Sequence, residues 1–404
     1  MKTVWRTLIQ QPRFAGLFFA IFLSTIGSGV SQAVVLAEFS KAHASGFIFG
    51  LLFLFGLAPG FIASRFAVNF STGTAIKKAL ILAQIIGAFS LIVSSLGLVI
   101  GYPISLLLTE VVSSVVWGFT VSFTPLIITS AIKNEELTEF SRFENSLFSS
   151  QSLVAFGIAA LLWPLIGSYP LLALDLVSYL IAVFCFSKFL ANDFSSETDN
   201  PEQSSSIENT RWSYWSPIQK KHVLIMPLLA LAATPAMTLL PLLGQKWGTL
   251  THISFLVVSP ALFLSIGKSM GQIIGPWLPS NRILDRIVRE RVWLMAMVIA
   301  FVGLYILSCR TENIIVAVLL VTLAHVISNI LFTASYLGTR NHFSGQALVA
   351  ASSLQYQGQL AVMSVSALIA GALATQQTDI IPVLAGGGIL AVMIFTLYEW
   401  RSAQ

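Results

Sequence analysis

Runs of apolar residues about 20 long, the length needed to cross a bilayer, recur along this 404-residue chain from Phe14 to Trp400. No other feature constrains the fold as strongly. In a bilayer the backbone must satisfy its own hydrogen bonds, so a run of this length folds as a helix. A membrane barrel would show alternating segments of about ten residues, whereas these runs are continuous. Hydrophobic residues make up 56% of the chain and charged ones 10%, too few charges to cover a soluble surface of this size. The predicted fold class is an all-α polytopic membrane protein with about twelve transmembrane helices.

The spans are placed at residues 14–38, 46–66, 79–100, 103–128, 143–167 and 170–191, then at 222–244, 253–276, 291–309, 313–336, 347–372 and 380–400. Between the sixth and seventh lies NDFSSETDNPEQSSSIENTRWSYWSPIQKK, residues 192–221, crowded with polar side chains. The expected organisation is an N-terminal six-helix half (1–191), a cytoplasmic linker (192–221) and a C-terminal six-helix half (222–404). With the amino terminus in the cytoplasm, eighteen Lys and Arg fall on the cytoplasmic side and only Lys41, Lys246 and Arg310 on the other; Lys268 lies inside a span. The positive-inside rule then predicts a bacterial inner-membrane protein with both termini cytoplasmic. Topology also explains the net charge of +5, so no nucleic-acid partner is expected. The first run is too long for a cleaved signal peptide. Cys185 and Cys309 sit near opposite faces, which argues against a disulfide.

Two six-span halves joined by a cytoplasmic connector are the layout of many secondary transporters, whose substrate site lies near the midplane between the halves. Ionisable groups inside spans are costly there and mark candidate sites. Glu110, in SLLLTEVVSSVVWGF, suits binding and releasing a proton during turnover; the competing reading is a carboxylate hydrated near the outer mouth or paired with a base. His325, in VTLAHVISNILF, is a second proton candidate because imidazole titrates near neutrality, against a packing role. Lys268 can bind an anionic group, pair with an acid or snorkel toward the cytoplasmic face. Asp175 is read as structural, fixing span packing. Arg65 is read as a gate residue or as an ordinary positive-inside charge. Pro227, Pro235 and Pro241 mark the seventh span as kinked, either cavity-lining or simply packed. Ser28 and Gln32 of the first span, Asn329 of the tenth, and Gln355 and Gln359 of the eleventh are candidates for a hydrated substrate cavity, the alternative being interhelical contacts. The chain has no nucleotide-binding phosphate loop, no paired metal-ligand histidines and no nucleophile turn, so neither enzyme activity nor a cofactor or metal is expected.

Three passages resemble the major facilitator superfamily, in particular its drug and metabolite efflux branch that includes siderophore exporters. FGLAPGFIASRF resembles the family's Gly-x-x-x-Asp-Arg motif through Gly60 and Arg65, with Ser64 at the acidic position. FTPLIITSAIKNEELTEFSRFENSL resembles the branch's loop between spans four and five at Pro125, Leu137 and Asn145. YPLLALDLVSYLIA resembles its sixth span through Asp175, Ser178 and Tyr179. The Gly-Pro pair of antiporters is separated here into Gly157 and Pro164.

This resemblance implies a major facilitator fold and proton-driven export of a small toxic or secreted compound, such as an antibiotic peptide of the microcin type, a siderophore or a drug. It would give the cell immunity or resistance. The expected partners are that substrate, protons and the lipid bilayer, with the protein acting as a monomer. The same architecture fits an importer of a sugar, peptide or nucleoside, and a third reading is a membrane sensor or biosynthetic partner without transport.

Overall fold

The computed structural model describes residues 9–67, 73–129, 137–190, 212–247, 260–343, 345–374 and 376–402. Six helices precede the polar linker: α1 (Pro12–Lys41), α2 (Gly46–Ala67), α3 (Gly73–Val99), α4 (Leu106–Thr129), α5 (Leu137–Ile166) and α6 (Ser168–Phe189). After it come α7 (Pro217–Thr238), α8 (Leu240–Gln245), α9 (Pro260–Ile274), α10 (Asn281–Arg289), α11 (Arg291–Arg310), α12 (Ile314–His342), α13 (Gly345–Leu373) and α14 (Ile380–Ser402). Among the described residues there is no strand. Among the described residues eleven candidate spans are long and apolar enough to cross a membrane. The remaining expected span, 253–276, is represented by the 15-residue α9; residues 253–259 of it, like most of the linker, lie outside the described residues.

Helix ends follow local chemistry. Pro12 opens α1, where its missing N–H costs nothing. Ser216 and Gln219 form a capping box at the start of α7, and the Asn313 side chain accepts from the N–H groups of Ile315 and Val316 at the start of α12. Gly167, at φ 75°, turns the chain between α5 and α6. The seventh span is interrupted as its prolines suggest: the chain steps at Leu239, two residues before Pro241, and resumes as α8.

One element is new relative to the sequence-based expectation. The segment between the eighth and ninth spans folds as α10, capped by Ser280. It buries Leu284 and Ile287 while Arg282, Ile283 and Arg286 stay exposed. Arg286 pairs with Glu290 at 2.7 Å, one turn on.

The helices are built to face hydrocarbon. On α3 the exposed stripe is Leu82, Ile85, Ile86, Phe89, Ile92, Val93 and Leu96, whereas Ala83, Gln84, Ser90, Leu91 and Ser94 are buried. Small and polar groups thus take the inner face, which is how helices associate where lipid removes the hydrophobic incentive to pack.

Contacts group the chain into two compact units. The first comprises Met1–Ala44, Phe55–Thr198 and Trp247–Ile266. Its apolar core joins Phe14, Leu17 and Ile21 of α1 to Leu80, Phe123, Phe186 and Leu190, and Lys77 closes the end of α6 by donating to the Leu190 carbonyl at 2.9 Å. The second comprises Ser45–Leu54, Asp199–Lys246 and Gly267–Gln404. Here Trp215 packs edge-on against Phe343, and Lys246 donates to the carbonyls of Cys309 and Thr311 at the end of α11 while pairing with Glu312. Cys185 and Cys309 are free thiols.

The first turns of α2 join the second unit because backbone meets backbone there. A Cβ on Gly371 of α13 would stand 2.5 Å from the Gly46 carbonyl oxygen and 2.7 Å from the Gly50 Cα. Gly371→Val is therefore expected to force α2 and α13 apart, costing about 1–3 kcal/mol and lowering the thermal midpoint of the purified protein. Gly386→Ala, where nothing lies within 4 Å, serves as the neutral or slightly stabilising control.

Candidate functional site

Within the first unit, α1 carries a polar stripe at helical spacing: Ser24, Ser28 and Ser31, with Gln32 beside it. Each member meets a different partner across the helix interface. Ser24 donates to Oε1 of Gln84 on α3 at 2.9 Å. The Ser28 hydroxyl bonds the Tyr179 hydroxyl of α6 at 3.0 Å, and Ser113 of α4 reaches the same oxygen at 3.2 Å. Ser31 donates to Oδ2 of Asp175 on α6 at 2.6 Å, while Ser178 donates to Oδ1 at 3.0 Å. Asp175 is fully buried. Successive partners along α1 are one turn apart, about 5.4 Å of rise, so they form a polar column along the helix.

Glu110 of α4 stands beside this column, with the Gln32 side chain as its polar neighbour. Its burial comes from the crossing of α2 and α4. Gly60 offers its N–H to the Ser114 hydroxyl at 2.9 Å, and a Cβ on Gly118 would lie 2.4 Å from the Gly60 carbonyl oxygen. One turn away, Glu110 packs over Gly56. Helices this close leave Glu110 only 5% exposed. Gly60, read from the sequence as a motif residue, thus has a packing task. Arg65 lies apart from the column, exposed in the last turn of α2, while Ser64 turns back to the Phe61 carbonyl.

The second unit gathers another set. Gly267, Gly271 and Gly275 bring α9 against α12. His325 of α12 is buried and bonds the Tyr305 hydroxyl through Nε2 at 2.6 Å, with Phe301 presenting its ring at a right angle. Lys268, half-buried on α9, is near enough to act on the His325 ring electrostatically. Asn329 donates to the His325 carbonyl, one turn back on its own helix, at 3.2 Å. Gln355 is not in this set: it donates to Ser335 at 2.7 Å and accepts from Thr339. Gln359 contacts the Met363 sulfur on its own helix. Pro235 sits inside α7, buried, within contact distance of Gly387 on α14. Pro125, Leu137 and Asn145 lie where side chains are outside the description.

Two features carried too little sequence signal to be singled out. His222 of α7 lies against His342 of α12, ring centroids 4.6 Å apart, and presses onto Gly338. At the far end of α1, Ser168 donates to Glu38 and accepts from the Trp163 indole at 2.9 Å. Among the described residues no three His, Cys, Asp or Glu side chains gather as a metal site.

This arrangement of helices is the major facilitator fold. The structure of a variant of the nucleoside transporter NupG superposes with a TM-score of 0.67 at 12% identity, covering 96% of this chain and 99% of that one. A bacterial homologue of the iron transporter ferroportin, inward-facing, gives 0.65 at 15% identity over 97% and 99%. A bacterial homologue of the human lysosomal transporter Spinster gives 0.60 at 13% over 96% of both. No sequence-family model matches the chain, and no curated protein sequence does so significantly.

The column depends on Gly27, where a Cβ would fall 2.1 Å from the Ser178 hydroxyl and 2.5 Å from Asp175 Oδ1. Gly27→Ala is expected to push α1 off α6 and destabilise the protein by about 1–3 kcal/mol, read as a lower thermal midpoint. Ser178→Ala in the same chain should recover part of the loss.

Proposed function

We propose that the chain is a secondary active efflux transporter of the bacterial inner membrane, driven by the proton gradient, with Glu110 as the coupling acid. The observation that carries this is the setting of Glu110. It is a carboxyl group buried at a helix crossing whose polar neighbour is the neutral amide of Gln32. Among the described residues, no Lys or Arg pairs with it. A buried acid without a counter-cation is expensive as a carboxylate, so gaining or losing its proton alters the local energetics enough to bias a conformational change. Gln32 is exposed while Glu110 is buried, which gives the acid a polar neighbour that solvent or substrate can reach.

The remaining roles follow from this reading. Ser28 and Gln32 in the first half, with Lys268, Asn329, Gln355 and Gln359 in the second, are proposed to serve a polar substrate. His325 is proposed as a second titrating group, and Arg65, Asp175 and Pro235 to hold or gate the helices. Both termini and the linker would be cytoplasmic, the protein monomeric, and residues 1–191 and 222–404 would move against each other about the linker. Export rather than import is favoured by the resemblance of the first half to the drug and siderophore efflux branch. The chain's general likeness to the permease that protects producers of microcin C, a peptide–nucleotide antibiotic, makes such peptides the first compounds to test.

A second reading, import of a nucleoside, peptide or sugar, is favoured by the fold shared with the nucleoside transporter NupG. A sensor or biosynthetic partner without transport is the third. Sensitive cells expressing the protein, challenged with a panel of antibiotic peptides, siderophores and drugs, should survive at least one and show reduced intracellular compound. A protonophore should abolish the difference. Glu110→Gln is expected to eliminate uphill export; undiminished export by this variant would remove Glu110 from the mechanism. Uptake of a labelled nutrient without any protection would replace the export reading with the second.

A further inference from the structure

Helix α10 ends at Arg289, and the span of α11 begins at Val292. The helix therefore lies at a bilayer surface, where it packs against α12 with Leu284 and Ile287 buried. At about 100° per residue, Arg282 and Arg286 fall on the face turned away from those two, and Ile283 falls on the flank between. Both arginines are exposed. The Nε of Arg286 donates to Glu290 at 2.7 Å, and its guanidinium carbon stands 6.0 Å from the centre of the Trp293 ring. These contacts orient the group and leave its terminal N–H groups available. Arg282 has no ion-pair or hydrogen-bond partner among the described residues. Two like charges four residues apart repel, a cost that an anion set between them removes. Residues 277–293 hold four Arg against Asp285 and Glu290, so the segment is basic. Its apolar side chains complete the picture. Of the tryptophans whose side chains are described, only Trp212, Trp277 and Trp293 are exposed, and the last two bracket α10. Leu278 and Ile283 are exposed beside them. A helix meant only for water has no use for such a patch.

We propose that α10 and the two tryptophans that bracket it form a binding surface for anionic phospholipid. Arg282 and Arg286 meet the headgroup phosphate, and Leu278, Ile283 and the two indoles enter the boundary of the acyl chains. The inference is independent of Glu110 and of the direction of transport. Guanidinium groups match phosphate oxygens in geometry as well as charge. Indoles settle at the level of the headgroups, with the ring in the apolar layer and the N–H in the polar one. A basic helix with an apolar flank lies in that same plane. A soluble phosphate compound would use the arginines and leave the apolar patch bare, whereas a phospholipid covers both. Since α10 joins α9 to α11 and packs on α12, a lipid held there anchors this joint of the second unit to the membrane surface.

The surface can be read without a transport substrate. The full chain is placed in nanodiscs of phosphatidylcholine, and phosphatidylglycerol brominated on its acyl chains is titrated in at low ionic strength, with brominated phosphatidylcholine as the neutral counterpart. Bromine quenches indole fluorescence at contact, and subtracting the signal of Trp277→Phe/Trp293→Phe isolates the two tryptophans at α10. Their quenching should reach half-maximum at a lower fraction of the anionic lipid than of the neutral one. Arg282→Gln and Arg286→Gln should each raise that fraction, by about fivefold per arginine. Arg310→Gln, exposed at the other end of α11, should leave it in place. Equal quenching by the two lipids, a preference that survives the loss of both arginines, or an equal effect of Arg310→Gln overturns the proposal. Inorganic phosphate that relieves the quenching more than chloride of matched ionic strength overturns it too, because the surface then takes free anions. Should the double tryptophan variant fail to fold, Trp277→Phe and Trp293→Phe are made singly. At least one should then reduce the anion-dependent quenching, and no reduction in either overturns the proposal equally.

Discussion

Hydrocarbon offers no hydrogen bonds, and nearly every feature of this protein answers to that fact. A polar group carried into a span must find its partner in another part of the chain or in its own helix. Thr25, Thr120, Thr124, Thr234 and Thr333 take the second course, each donating to the carbonyl one turn back. Ser24, Ser28 and Ser31 take the first, and through them α1 is joined to α3 and α6, where Ser113 of α4 reaches the same Tyr179 hydroxyl. The first group solves a local problem. The second decides which helices touch, and therefore where a buried acid can be kept.

Close approach is the other half of the same solution. Since lipid tails compete for apolar contact as well as Leu or Phe does, helices gain by dispersion and short polar contacts, and small residues let them come near. The crossing at Gly60 and Gly118 hides Glu110 from solvent, and the run Gly267, Gly271, Gly275 sets α9 against α12 beside His325. The chemistry of the acid and of the imidazole is thus prepared by residues that have none of their own.

Much of this architecture was legible in the amino-acid sequence, and the limits are instructive. The apolar runs located α1 to α7 and α11 to α14 to within a few residues at most ends, because length and hydropathy alone decide whether a segment spans. Helix α10 escaped notice since nine residues containing Asp285 and three Arg read as a loop, although Leu284 and Ile287 give it a buried edge. Glu110, Asp175, Lys268 and His325 were recognisable as costly intramembrane groups. Their partners were not, for Ser31 and Asp175 are 144 residues apart and no local pattern encodes which serine meets which acid. Gln355 and Gln359 were read from the sequence as candidate cavity amides, and only the structure shows their neighbours, Ser335 and Thr339 for one and Met363 of its own helix for the other. The spacing of Gly267, Gly271 and Gly275 went unread as a packing signal, and the helix it packs on is given only by the structure.

Gly27 has a consequence beyond stability. The space that a side chain there would fill is occupied by Ser178 and Asp175, so three positions on two helices, far apart in the chain, are bound into one volume. A larger residue at 27 becomes tolerable only after 178 or 175 has shrunk, and those changes in turn remove donors or the acid itself. The order of substitutions therefore matters: paths that begin at 27 are blocked, whereas paths that begin on α6 first surrender the polar column. Any variant that carries a side chain at position 27 must therefore have repacked α1 against α6.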